Sequence, residues 1–163
     1  MEGRGQEKGR RVVVALDESA QSLHALQWAL GTFSLCAHLD TLILLHAKLP
    51  PSSSVAGPEF ILSAEAIVSM EIYQDRAIES LMNRALELCK EKQVAAETQV
   101  VFGDPRDVIC EVVEKSNADF LVIGSHGYGA IKRALLGSVS DYCAHHVKCP
   151  VVIVKKPHDR HKH

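Results

Sequence analysis

The stretch Asp119–Ser140, DFLVIGSHGYGAIKRALLGSVS, decides how this chain folds. It opens on an apolar run that stops at Gly124. Continuous apolarity without alternation marks a strand buried on both faces. Gly124, Gly127 and Gly129 then crowd one short loop, and Gly137 stands just before Ser138 and a helical stretch reaching about Val147. A buried strand, a glycine-rich loop and a helix form one half of a βαβ unit. So much backbone freedom beside two hydroxyls serves either a difficult turn or a cradle for negative charge.

The same grammar runs outward in both directions. Arg11–Asp17 (RVVVALD), Asp40–Ala47 (DTLILLHA), Ala95–Gly103 (AAETQVVFG) and Pro150–Val154 (PVVIV) are further strand candidates. A helix from Glu18 or Ser19 to Phe33 carries Leu23, Leu26, Ala29 and Leu30 at helical spacing. A long helix is expected from Ser63 to Lys92, with Ile67, Tyr73, Ala77, Ile78, Leu81, Ala85 and Leu88 inward. Asp104 followed by Pro105 reads as an N-cap and first helical position, opening a helix to about Asn117. Between the second strand and the long helix, Pro50–Pro58 (PPSSSVAGP) reads as an irregular loop, and 49–63 either as a mobile lid over the site or as a disordered segment. The resulting β-α-β-α-β-α-β-α-β order predicts an α/β fold, a single-domain Rossmann-like parallel sheet of five strands with helices on both faces. The domain is expected over 11–156, with a flexible N-terminus at 1–10 and a flexible basic tail at 157–163.

The chain has 163 residues, enough for a single core that buries roughly 68–70% of the unfolded surface. Its formal net charge of −2 argues against a nucleic-acid partner held by broad electrostatics. No apolar run approaches the roughly 18 residues of a membrane helix, and Glu2 excludes N-myristoylation. The five cysteines show neither a disulfide framework nor zinc spacing. Reduced thiols and a polar N-terminus fit a cytoplasmic location, with the nucleus as an alternative. His145 and His146 are adjacent, so on a helix they point apart, and surface histidines are expected rather than a metal site. Trp28 and Tyr73 are expected to pack against the sheet.

In such a sheet, ligands bind beyond the carboxyl ends of the strands, where the winding reverses. The first strand delivers Asp17 there, the second His46 and Ala47, the fourth the glycine loop. Glycine lets a backbone approach phosphate closely, and a helix N-terminus offers unpaired N–H groups and partial positive charge. Gly137, Ser138, Val139 and Ser140 stand where that helix starts, and the two serines add hydroxyls. Each glycine alone reads equally as a turn former, and Ser138 alone as a helix cap. Their common placement at strand ends is what weights the reading towards phosphate. A Walker motif is absent, and the first βα turn lacks the dinucleotide glycines.

On these residues the chain resembles the universal stress proteins, single-domain and of the plant type. The likeness rests on Val12–Asp17, Leu42–His46, Gly103–Pro105, the spacing Gly124-x2-Gly127-x9-Gly137-Ser138, and Cys149–Val154. It implies the adenine nucleotide alpha hydrolase-like fold with strand order 3-2-1-4-5, and binding of ATP or AMP. It further implies that Ala15 and Leu16 line the adenine pocket, that Asp17 holds the ribose, and that His46 and Ala47 meet the base through their backbone. Gly124 and Gly127 would face the ribose and first phosphates, and Gly137, Ser138, Val139 and Ser140 would bind phosphate. His126 stands where many family members carry arginine, and a neutral imidazole offers phosphate less. Lys132 and Arg133 could reach a longer phosphate tail. With ATP, Mg2+ would be carried on phosphate oxygens and water. A homodimer joined through the apolar edge at 150–154 is implied by the likeness and fits the physics of an exposed strand.

Hydrolysis needs a positioned base and charge stabilisation on the transferred group. Asp17 is the acid that placement brings near, at the ribose end. The expectation is therefore a nucleotide-binding regulator of stress response rather than an efficient enzyme. The alternatives are an enzyme that slowly hydrolyses ATP or autophosphorylates on Ser138 or Ser140, and a chaperone-like interaction module with a vestigial pocket.

Overall fold

Five β-rich runs become five strands: β1 Arg11–Ala15, β2 Thr41–Lys48, β3 Ala96–Phe102, β4 Phe120–Gly124 and β5 Val151–Val154. The computed structural model describes residues 8–33, 40–50, 63–126 and 136–157. All four strand pairings are parallel, and the sheet order is β3-β2-β1-β4-β5, as expected. Among the described residues, four helices connect them: α1 Ala20–Thr32, α2 Ala64–Glu91, α3 Pro105–Lys115 and α4 Ser138–His146. The winding reverses between β1 and β4.

Alternate strand residues feed two separate cores. Val12, Val14, Leu42, Leu44 and Val122 pack beneath Leu26 of α1 and Leu81 and Ala85 of α2. Val13, Ile43, Leu45, Leu121 and Ile123 pack against Val108, Ile109 and Val112 of α3 and Cys143 of α4. Each such side chain contributes roughly 1.5–3 kcal/mol by leaving water. This two-sided burial is why β1, β2 and β4 read as unbroken apolar runs. Outside the core, Arg10 closes a bidentate pair on Asp40, donating Nη2 to Oδ2 at 2.7 Å, and so pins the lead into β1 to the lead into β2. The described cysteines 89, 110, 143 and 149 are free thiols, and burial pushes Cys89 up to about 11 and Cys143 up to about 12.

Three helices begin at a side-chain cap. Ser19 accepts from Ser22 N at 3.3 Å, Ser63 from Ala66 N at 3.1 Å, and Asp104 from Arg106 N at 2.9 Å. The α2 stripe departs from expectation. Its buried residues are Ile78, Leu81, Met82, Ala85 and Cys89. Extended one turn towards the N-terminus, that stripe reaches Gln74, whereas Tyr73 is rotated about 100° off it and is 77% exposed. Trp28 packs edge-on against Phe33, which in turn meets Phe120 of β4, so it reaches the sheet through an intermediary.

Candidate functional site

The carboxyl ends of β1, β2 and β4 surround a cleft of about 490 Å³. Eleven of the twelve expected site residues line it; Gly127 lies outside the described residues, as do Lys132 and Arg133.

On the β1 side the chain is held by its own hydrogen bonds. Leu16 N donates to Leu45 O at 2.7 Å, continuing the sheet by one residue. Leu16 O accepts from His46 Nδ1 at 2.8 Å. A carbonyl can only accept, so the neutral ring carries its proton on Nδ1 and its lone pair on Nε2. The Asp17 carboxylate accepts from Ser19 N at 2.8 Å and from Ser19 Oγ, folding it back over the start of α1. Ser22 Oγ accepts from Asp17 N at 3.1 Å and donates to Asp17 O at 2.8 Å. Sequence reading missed Ser22. Its contribution is positional, and three residues past a cap it looked like any helix serine.

The β4 side is built around Ser125, which was also missed. It is 3% exposed. Its N–H donates to Val154 O, and its carbonyl accepts Gly137 N at 2.6 Å and Ser140 Oγ at 2.9 Å. One residue thereby joins β4, β5 and the start of α4. Backbone groups carry most of this, so residue type gave no signal. Gly124 has a structural reason for lacking a side chain: a Cβ there would lie 3.1 Å from the backbone of Gln21 on α1. Gly103, with φ +143, ends β3 in a conformation that favours glycine.

The start of α4 differs from the other helices. Gly137 is its N-cap and supplies no side-chain hydrogen bond. Ser138 is the first helical residue, so it is not the cap that one reading of the sequence offered. The Ser140 hydroxyl also donates to Gly137 O at 3.1 Å, so it points inward and is engaged within the protein. Ser140 is 2% exposed, so its hydroxyl is ill placed either to donate to a ligand or to accept a phosphoryl group. Among the described residues, no group accepts from the amides of Ser138, Val139 or Ser140. Helix geometry leaves these first amides without an internal partner, and all three residues line the cleft.

Pro105 and Ile109 of α3 supply an apolar wall, Glu18 adds a second acid beside Asp17, and Gln74 enters from α2. No three His, Cys, Asp or Glu side chains gather into a metal-ligating group among the described residues. No helix among them is long and apolar enough to cross a membrane.

The model of the universal stress protein family matches residues 9–155. A universal stress protein of Arabidopsis thaliana, PHOS34, is 31% identical across 93% of this chain and 64% of its own length. Against three Arabidopsis thaliana universal stress proteins the chain spans 41%, 64% and 66% of their lengths. Among solved structures, an Arabidopsis thaliana member with AMP bound superposes with a TM-score of 0.68 at 26% identity, covering 94% of this chain and 95% of that one. A universal stress protein in complex with cAMP superposes with a TM-score of 0.61 at 28% identity, covering 89% of this chain and 95% of that one. With its sheet order, its cleft at the switch point and a family match over nearly its whole length, the chain belongs to the universal stress protein family.

Proposed function

We propose that this protein binds an adenine nucleotide, AMP or ATP, in the cleft and acts as a nucleotide-responsive regulator in stress response. The observation that carries the reading is the start of α4: three amides without an acceptor among the described residues, behind a glycine cap, on residues that line the cleft. Phosphate at such a terminus meets N–H donors and the positive end of the helix dipole together. The exposed Ser138 adds a hydroxyl at the same rim. Asp17, held by Ser19, receives the sugar hydroxyls, and Ala15, Leu16, His46 and Ala47 form the base end. The bound AMP and cAMP of the two structural relatives support the ligand class. If ATP is the ligand, Mg2+ rides on its phosphate oxygens and water.

Binding rather than turnover fits the acids present. Asp17 and Glu18 sit on one loop at the β1 end, and the Asp17 carboxylate is engaged by Ser19. Heat-denaturing the purified protein and chromatographing the supernatant tests the ligand, followed by calorimetric titration of emptied protein with AMP and ATP. Adenine nucleotide in the supernatant or saturable binding is expected; neither, with no thermal shift, overturns the proposal. Sustained phosphate release from ATP that Gly137→Val abolishes would replace the binder by an enzyme. Assembly follows from the edge position of β5, whose Val151, Val152 and Ile153 are half-buried at the sheet margin. Pairing of two such edges gives a homodimer, and light scattering at micromolar concentration should return twice the chain mass.

A further inference from the structure

Among the described residues, one buried polar atom in the cleft wall has no partner. Gln74 lies on the inward stripe of α2, one turn before Ile78, and lines the cleft. Its Nε2 donates to Leu49 O at 2.8 Å, while its Oε1 is shielded from solvent and accepts from no group among the described residues. The orientation of the amide is settled by Leu49: turned over, Oε1 would face another acceptor. The neighbouring pair Lys48–Asp75, at 2.5 Å, holds this part of α2 to the end of β2. A buried acceptor left unpaired is destabilising, and a native fold rarely keeps one without use.

Resting on the adenine-nucleotide reading above, we propose that Gln74 is a specificity-determining residue whose Oε1 accepts a hydrogen bond from the exocyclic amine of the bound adenine. An adenine nucleotide carries few donors: the 6-amino group and the sugar hydroxyls. The hydroxyls belong to Asp17, and the phosphate end belongs to α4, on the far side of β1. Gln74 is tied to Leu49, the residue after β2, and lines the same cleft as His46 and Ala47, the base end in the reading above. The amine has two hydrogens, so backbone carbonyls and Oε1 can both be served. A 6-oxo base would bring an acceptor against Oε1. The amide cannot turn to suit it without giving up Leu49. Sites that read an N–H in this way discriminate against the analogue lacking it.

The test is calorimetric titration of the full chain with AMP, inosine monophosphate and 2′-deoxy-AMP, in wild type, Gln74→Met and Gln74→Glu. Wild type should favour AMP over inosine monophosphate by roughly 10–100-fold. Gln74→Met, of similar length but without the acceptor, should bring that ratio within about threefold while keeping the wild-type melt. Gln74→Glu keeps an acceptor but sets a carboxylate oxygen against Leu49 O where Nε2 had donated, so it should weaken AMP while still preferring it to inosine monophosphate; a Gln74→Glu that prefers inosine monophosphate overturns the proposal. A wild type that binds both monophosphates equally overturns the proposal whether or not a variant folds. So does a Gln74→Met that keeps the wild-type ratio, or one that weakens both ligands alike. If the loss in Gln74→Met disappears with 2′-deoxy-AMP while the base ratio persists, the partner is a sugar hydroxyl and the assignment to the base is wrong. A wild type that binds none of the three rejects the nucleotide reading itself, a different failure from retained binding with an unchanged ratio.

Discussion

Helices α3 and α4 pack on the same face of the sheet and begin in opposite ways. At α3, Asp104 caps the first turn, Pro105 occupies the first helical position, and Arg106 closes a salt bridge at 3.0 Å back to the cap. At α4, Gly137 caps with backbone alone, and the following three amides have no acceptor among the described residues. Pro105 borders the cleft as an apolar wall, whereas α4 presents N–H groups to it. A helix that satisfies its own terminus stabilises the fold; a helix that leaves it open forgoes about 1 kcal/mol of capping and keeps a site for an anion.

Giving α4 the cap that α3 has is the strongest way to break this contrast. Gly137→Asp places a carboxylate on the amides meant for phosphate and adds like-charge repulsion. Two charge-assisted hydrogen bonds are worth roughly 3 kcal/mol or more, so AMP affinity should fall about 100-fold or further by calorimetry. Gly137→Ser, with a neutral and smaller cap, should cost about tenfold, the loss of one such bond. If both variants bind AMP as wild type does, phosphate is not held by α4.

The reverse exchange should leave binding alone. Asp104→Ala removes the α3 cap and its ion pair, and should lower stability by about 1 kcal/mol. For a chain of this size that is a fall of roughly 2–4 °C in melting temperature. AMP affinity should stay within twofold. A large loss of affinity would mean that the start of α3 belongs to the site, and the contrast would collapse.

How much of this was legible in the sequence follows the same division. The Asp104-Pro105 pair announced its helix in residue types alone, because a capping side chain is a chemical identity. The apolar runs of β1, β2 and β4 announced a doubly covered sheet because two-sided burial removes alternation. Placing Asp17, His46 and Gly137 at one rim needed only topology. What escaped depends on where one element sits against another. Gly124 looked like a ligand glycine, yet its missing side chain is accounted for by the closeness of Gln21. Ser140 looked like a phosphate donor, yet Ser125 O lies within reach of its hydroxyl. On a helix of 28 residues, a small error in rotational phase put Tyr73 inward and hid Gln74. Ser125 acts mainly through its main chain, which no residue letter encodes.

The smallest effect concerns acid, and it separates the two termini by sign. Hydrogen bonds from Arg106 hold the Asp104 carboxyl below the usual carboxylate range. A depressed folded value means the contribution is complete above the unfolded value of about 4 and disappears as pH falls through the folded one. The melting difference between wild type and Asp104→Ala should therefore hold steady from pH 8 to about 5 and close below about 4. The group is exposed, so the closure should be shallow and should shrink with added salt. Wild-type α4, capped by glycine, has no titrating cap. Gly137→Asp should create one: relative to wild type, its ligand-free stability should improve only above the carboxylate range, and in that same range its AMP affinity should be lowest. Acidifying towards pH 4 should then restore part of the lost affinity. Should affinity in Gly137→Asp stay equally low on both sides of that range, the defect would be steric rather than electrostatic, and the contrast between the two termini would not rest on the charge of the cap.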